Sequence, residues 1–216
     1  MTSIESFLAE IDAQNRAALD RIGAAAACEP AAEVTVAKLL MVALKSEIEA
    51  TDCAAGWIPT TREIDVKLAL ARQAGDEAKH YRLIQKRLAE LGVDAGAFDP
   101  GPPSPMLEYL ASLTTTVERV AAGQFTREAL AVVRNEEFIR FCVSRDDQAT
   151  AALYRDVIQP DERHHHELGR RLLAELAVDE PAQTAARRAA RRTLDLAEEL
   201  QEIARMKRGL SRAPGC

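Results

Sequence analysis

Cysteine is scarce and scattered. The 216-residue chain has four, Cys28, Cys53, Cys142 and Cys216, and no C-x-x-C pair. That excludes a zinc ribbon or a rubredoxin-type iron site and offers no disulfide framework. Aromatic residues make up only 4%, too few for a β-sandwich, whose strands are rich in them. No apolar run approaches the ~20 residues needed to span a bilayer. The opening MTSIESFLAEID is acidic and amphipathic, unlike a secretory signal, so a soluble, cytoplasmic protein is expected. A formal net charge of −6 argues against a non-specific grip on nucleic acid.

What remains is apolar (47%) and charged (29%), with abundant alanine and helical periodicity almost throughout. Ile4, Phe7, Leu8, Ile11, Ala18, Leu19 and Ile22 form one stripe of a helix over 3–27. After a break at CEPAAE (28–33), helices are expected over about 35–56 and 62–91, the latter ending at Gly92. The stretch 92–105 is the single obvious linker. Beyond it the pattern predicts helices at about 105–122, broken by Gly123, then 126–144 with Thr126 as N-cap, 147–175 kinked at Pro160, and 182–208. The last carries Arg187, Arg188, Arg191, Arg192, Arg205, Lys207 and Arg208 and reads as a solvated or interface helix. The expectation is an all-α single domain, 1–216.

Two of the four histidines sit in matching contexts: Asp76-Glu77-Ala78-Lys79-His80 and Asp161-Glu162-Arg163-His164-His165. At i and i+3 on a helix, a carboxylate and an imidazole point the same way and can grip one edge of a metal ion. Each pair follows another glutamate: Glu47 precedes Glu77, and Glu136 precedes Glu162. The chain thus reads as Glu, Glu-x-x-His, linker, Glu, Glu-x-x-His.

Helical phase, about 100° per residue, chooses between neighbours. Glu47 lies among Val36, Leu40, Ala43, Leu44, Ala50 and Ala54, whereas Glu49 points about 160° away, towards water. Glu136 shares a stripe with Ala129, Val132, Val133, Ile139 and Val143, and also with Arg140; Glu137 has a more mixed face, so Glu136 is preferred. His166, about 40° from Glu162 on the wheel, competes with His165, and His164 reads as a surface residue. Tyr81 and Tyr154 lie near the ligand faces and are expected in the core. Cys53 and Cys142, each six residues after a candidate glutamate, read as buried small hydrophobes. Four carboxylates on apolar seams need counter-charge, which two divalent cations supply.

This pattern resembles the ferritin-like di-iron carboxylate superfamily, whose ligand set is two glutamates and two Glu-x-x-His motifs. The resemblance covers about 34–175 and implies an antiparallel four-helix bundle with a long crossover, flanked by the helices at 3–27 and 182–208. It also implies Glu47, Glu77, His80, Glu136, Glu162 and His165 as metal ligands and catalytic centre. Glu77 and Glu136 or Glu162 would be the bridging candidates. One imidazole per metal among hard carboxylates suits two irons, or a manganese–iron pair, better than zinc. The implied activity is O2-dependent oxidation or oxygenation of a small organic substrate. The chain departs from full-length rubrerythrins in lacking their rubredoxin-type cysteines, so an external electron donor is implied; a homodimer is the expected assembly. Three other readings compete: a ferroxidase or iron-handling protein, a tRNA-modifying di-iron hydroxylase, and a non-catalytic helical module.

Overall fold

The computed structural model describes residues 3–27, 34–96 and 98–206. Cys28, Cys216, the 28–33 break and the basic residues Lys207 and Arg208 lie outside them. All regular structure among the described residues is helical: α1 (Ile4–Ala27), α2 (Val36–Trp57), α3 (Ile64–Glu90), α4 (Pro105–Ser112), α5 (Thr116–Arg119), α6 (Glu128–Ser144), α7 (Gln148–Leu153), α8 (Gln159–Leu176) and α9 (Glu180–Met206). Two π-helical segments, π1 (Val120–Arg127) and π2 (Tyr154–Ile158), join α5 to α6 and α7 to α8 without a break. Among the described residues no helix is long and apolar enough to cross a membrane.

Local chemistry sets the boundaries. The Thr35 side chain accepts from Lys38 N–H to start α2. At the end of α3, Gly92 takes φ +78°. Its N–H reaches Ala89 O while Val93 N–H reaches Leu88 O, a Schellman closure. The break expected at Gly123 lies instead at 113–115, where Thr115 and Glu118 form a reciprocal capping box at the head of α5. Gly123 is a packing glycine inside π1: a Cβ there would come 2.9 Å from Trp57 Cζ3. Thr126 caps nothing, and its hydroxyl accepts from the Asn15 side chain at 3.2 Å. Pro160 stands one residue beyond the first residue after π2, Gln159, whose N–H bonds to Tyr154 O. Its missing N–H therefore falls where the ladder is changing register.

The apolar core is two clusters. One joins the C-terminal part of α2 (Cys53, Trp57), the N-terminal part of α3 (Val66, Leu70), Phe125, Leu130 and the C-terminal part of α8 (Leu172, Leu173) with α1 and α9. The other joins Leu39, Leu40 and Leu44 of α2, Ile84 and Leu88 of α3, Phe138 and Phe141 of α6, and Tyr154 and Ile158 before α8. By this sharing, α2 and α8 run one way and α3 and α6 the other. The middle turns of α2 and α3 and the first turns of α8 lie between the two clusters and carry buried polar residues, Glu47, Gln73, Glu77, His80, Glu162 and His165.

Candidate metal centre

Six acidic and imidazole side chains meet in that middle layer. Glu47, Glu77, His80 and Glu162 form one group, and Glu77, Glu128, Glu162 and His165 a second; within each, one atom per residue lies within 4.8 Å of all the others. Such groups could hold a metal ion. Burial of the six is near complete: Glu47 is 4% exposed, Glu77 2%, His80 0%, Glu128 0%, Glu162 3% and His165 2%.

The geometry has an approximate two-fold character. His80 Nδ1 lies 3.3 Å from Glu77 Oε2, 3.6 Å from Glu47 Oε2 and 3.7 Å from Glu162 Oε1. His165 Nδ1 lies 3.6 Å from Glu162 Oε2, 3.7 Å from Glu77 Oε1 and 3.8 Å from Glu128 Oε2. Glu77 and Glu162 thus each turn one oxygen towards each histidine, as bridging carboxylates do. Glu47 belongs only to the His80 side, and Glu128 only to the His165 side.

Behind each ring stands an aspartate from the other motif. His80 Nε2 is 3.1 Å from Asp161 Oδ2, and His165 Nε2 is 3.1 Å from Asp76 Oδ2. In the neutral ring, a carboxylate on the far nitrogen would hold the proton there and turn Nδ1 to the centre as a ligand atom. Asp161 is itself held by Lys79 Nζ at 2.5 Å. These aspartates were legible as the residue before each glutamate, a D-E-x-x-H sequence that occurs twice, yet spacing alone gave them no role.

The second group contains Glu128, not Glu136. Glu136 has a side chain 43% exposed and pairs with Arg163 at 3.1 Å. The expected stripe of Val132, Val133 and Ile139 is only partly buried, and Val133 Cγ1 approaches Gly23 of α1. The added N-terminal helix thus covers that side. The fully inward face of α6 is Glu128, Ala131, Asn135, Phe138 and Cys142, a heptad-like series that passes Glu136 by. Glu137 binds Arg140. The six-residue register from Glu136 to Cys142 was therefore coincidental, although Cys53 and Cys142 are both buried free thiols.

Other neighbours fall out as follows. His166 Nδ1 donates to Phe125 O at 2.7 Å and its ring stacks on Phe125, so it braces π1 and stays outside the cluster. Glu49 does not face water alone: it accepts from Ser104 N–H at 2.7 Å and Ser104 Oγ at 2.5 Å, anchoring the crossover to α2. Tyr154 is fully buried with an edge-on contact to Phe138, and its hydroxyl has no hydrogen-bond partner among the described residues. Tyr81 packs beside Phe98. In α9, Arg187 pairs with Glu10 and Glu180, Arg188 with Glu118, Arg191 with Asp195 and Arg192 with Glu199.

The charges are not settled by the protein alone. Among the described residues, Glu128 Oε2, Glu162 Oε2 and His165 Nδ1 are buried with no hydrogen-bond partner, a costly state unless something ligates them. Burial pushes Glu47 up to about 7. Burial, with the charges of Glu77 and Glu128, holds Glu162 well above the usual carboxylate range. Burial opposes charge on the histidines too, but the surrounding glutamates outweigh it and raise His80 to about 12 and His165 to about 11. Burial likewise opposes ionisation of Glu128, yet His165 and Arg127 overcome it and draw Glu128 down to about 2. Protons on the histidines thus stand in for cations. Four carboxylates against two neutral imidazoles would match two divalent ions in charge, and both residue types are oxygen or nitrogen ligands of such ions.

One family description matches the chain, "Protein of unknown function (DUF455)", over residues 33–214. The chain belongs to that family. The matched span takes in all six clustered residues and both aspartates, and leaves out the whole of α1. No curated protein and no solved structure matches.

Proposed function

We propose that this DUF455 chain is a dinuclear carboxylate protein of the ferritin-like kind, binding two irons and using O2 to oxidise or oxygenate a small organic molecule. The observation that carries the reading is the pair of overlapping four-residue groups with Glu77 and Glu162 common to both. The orphaned oxygens of Glu128 and Glu162 and the free Nδ1 of His165 point the same way. The directions of α2, α3, α6 and α8, and the long crossover between α3 and α6, suit a ferritin-like bundle.

In this reading Glu47 and His80 hold one ion, Glu128 and His165 the other, and Glu77 and Glu162 join them. Two reduced irons, when bound, supply the two electrons that O2 takes up in one encounter. The chain's own part is geometric and dielectric. Asp161 and Asp76 fix the imidazole rings, and the two apolar clusters keep bulk water from the layer between them. The formal net charge of −6, with Arg187, Arg188, Arg191 and Arg192 of α9 each beside a carboxylate of the same chain, favours a small-molecule substrate over a nucleic acid.

The test is elemental analysis of protein expressed with ample iron, then optical spectroscopy of the reduced protein on exposure to O2. Two irons per chain and a transient visible band are expected. Glu128→Gln should lose about one iron, whereas Glu136→Gln should keep both. A chain that retains no metal, or that needs Glu136 and not Glu128, refutes the proposal.

A further inference from the structure

We propose that the two cation positions are unequal and that Arg127 makes them so; this rests on the dinuclear reading above. The positions share Glu77 and Glu162, so any difference must come from what each holds alone. Among the described residues, the Glu47 carboxylate has one cationic partner, His80 at 3.6 Å. Glu128 is placed differently. Its Oε1 accepts from Gln73 Nε2 at 2.6 Å and from Arg127 Nη1 at 3.2 Å.

Arg127 is the last residue of π1 and is only 7% exposed. A guanidinium keeps its charge at any working pH, and a buried charge is poorly screened. Its field opposes a second positive charge on the same carboxylate. The hydrogen bonds also occupy Oε1, which leaves Oε2 as the one oxygen of Glu128 turned to the centre. No such fixed cation stands beside Glu47 among the described residues. The His80 position therefore fills first, and the His165 position second and more weakly, by about tenfold or more for a permanent charge this close.

The experiment is a Mn2+ titration of the full-length, metal-free chain, followed by calorimetry and electron paramagnetic resonance. Two steps of one ion each are expected, separated by about tenfold or more. Glu47→Gln should abolish the tight step and Glu128→Gln the weak one. Arg127→Gln, which removes the charge, should bring the two steps together, while Arg127→Lys should keep them apart; a role in packing alone would make both variants behave alike. Equal steps in the unaltered chain, or a gap that persists in Arg127→Gln, overturn the inference. Should Arg127→Gln fail to fold, the glutamate variants still decide, because equal residual affinities in the two would overturn it. Failure of the unaltered chain to take up any Mn2+ would instead overturn the dinuclear reading.

Discussion

Gly169→Ala tests how closely α8 must approach π1. A Cβ on Gly169 would fall 2.6 Å from Gln124 C, 2.7 Å from Gln124 O and 2.8 Å from Phe125 N. All three are backbone atoms, so no rotamer change can make room, and α8 and π1 must separate. Overpacking of this kind costs about 1–3 kcal/mol, and relief through backbone alone points to the upper end. For a chain of this size about 2–4 °C of melting temperature is lost per kcal/mol, so a fall of roughly 4–12 °C is expected. The movement would also stretch the His166–Phe125 bond, at the residue next to His165, and draw His165 away from Glu128. Metal uptake on the His165 side should fall with stability. Thermal unfolding and metal stoichiometry measure both effects. Gly75→Ala is the control, since nothing lies within 4 Å of its added Cβ; there the lost backbone freedom should stabilise by about 0.5–1 kcal/mol. A Gly169→Ala chain as stable as the parent would refute the close-approach argument.

Asp161→Asn and Asp76→Asn keep the shape but lose the charge behind His80 and His165. Each should weaken metal binding by about 10–100-fold, readable in a competition titration against a chelator; unchanged affinity in both would remove the aspartates from the site. The pH dependence has a definite sign. His80 and His165 are raised to about 12 and about 11 in the folded chain, so the stability they confer is full below their ordinary value near 6.5 and is lost as pH rises towards 11–12. Glu47, raised to about 7, loses stability between about 4.5 and 7 in the same direction, while Glu128, drawn to about 2, loses it as pH falls below about 4.5. The metal-free chain should therefore become less stable from pH 5.5 to 8.5, and the gain in melting temperature on adding Mn2+ should grow, because cations displace those protons. Melting curves with and without Mn2+ would contradict this if the metal-free chain gained stability across that range.

Much of the fold could be read from apolar periodicity, because α1, α2, α3 and α9 follow undistorted 3.6-residue geometry. The two Glu-x-x-His pairs were equally accessible, since an i, i+3 spacing survives any detail of packing. Errors gathered where the helix is not α. No residue pattern announces π1, and Gly123 within it reads as a breaker because its use, receiving the Trp57 ring, depends on a residue 66 positions away. Taking Thr126 for a helix start placed Glu128 in a first turn, where a glutamate has an ordinary role beside the helix dipole. Glu136 was favoured because one apolar stripe was assumed to face one core. In the folded chain α6 has two covered sides, and α1 takes the one that carries Val133. Asp76 and Asp161 were in plain view, but their partners lie on another helix, and only the packing of α3 against α8 joins them.

That crosswise dependence has a consequence for how the protein is made. The first half of the chain carries Glu47, Glu77 and His80, yet His80 borrows its orienting carboxylate from Asp161 and shares Glu162 across the centre. Neither half can finish its own share, so the centre closes only when segments some eighty residues apart have docked, late in folding. A ribosome-bound fragment ending before α8 would hold an incomplete set of donors, and on the dinuclear reading any cation would be captured by the finished protein rather than by the growing chain.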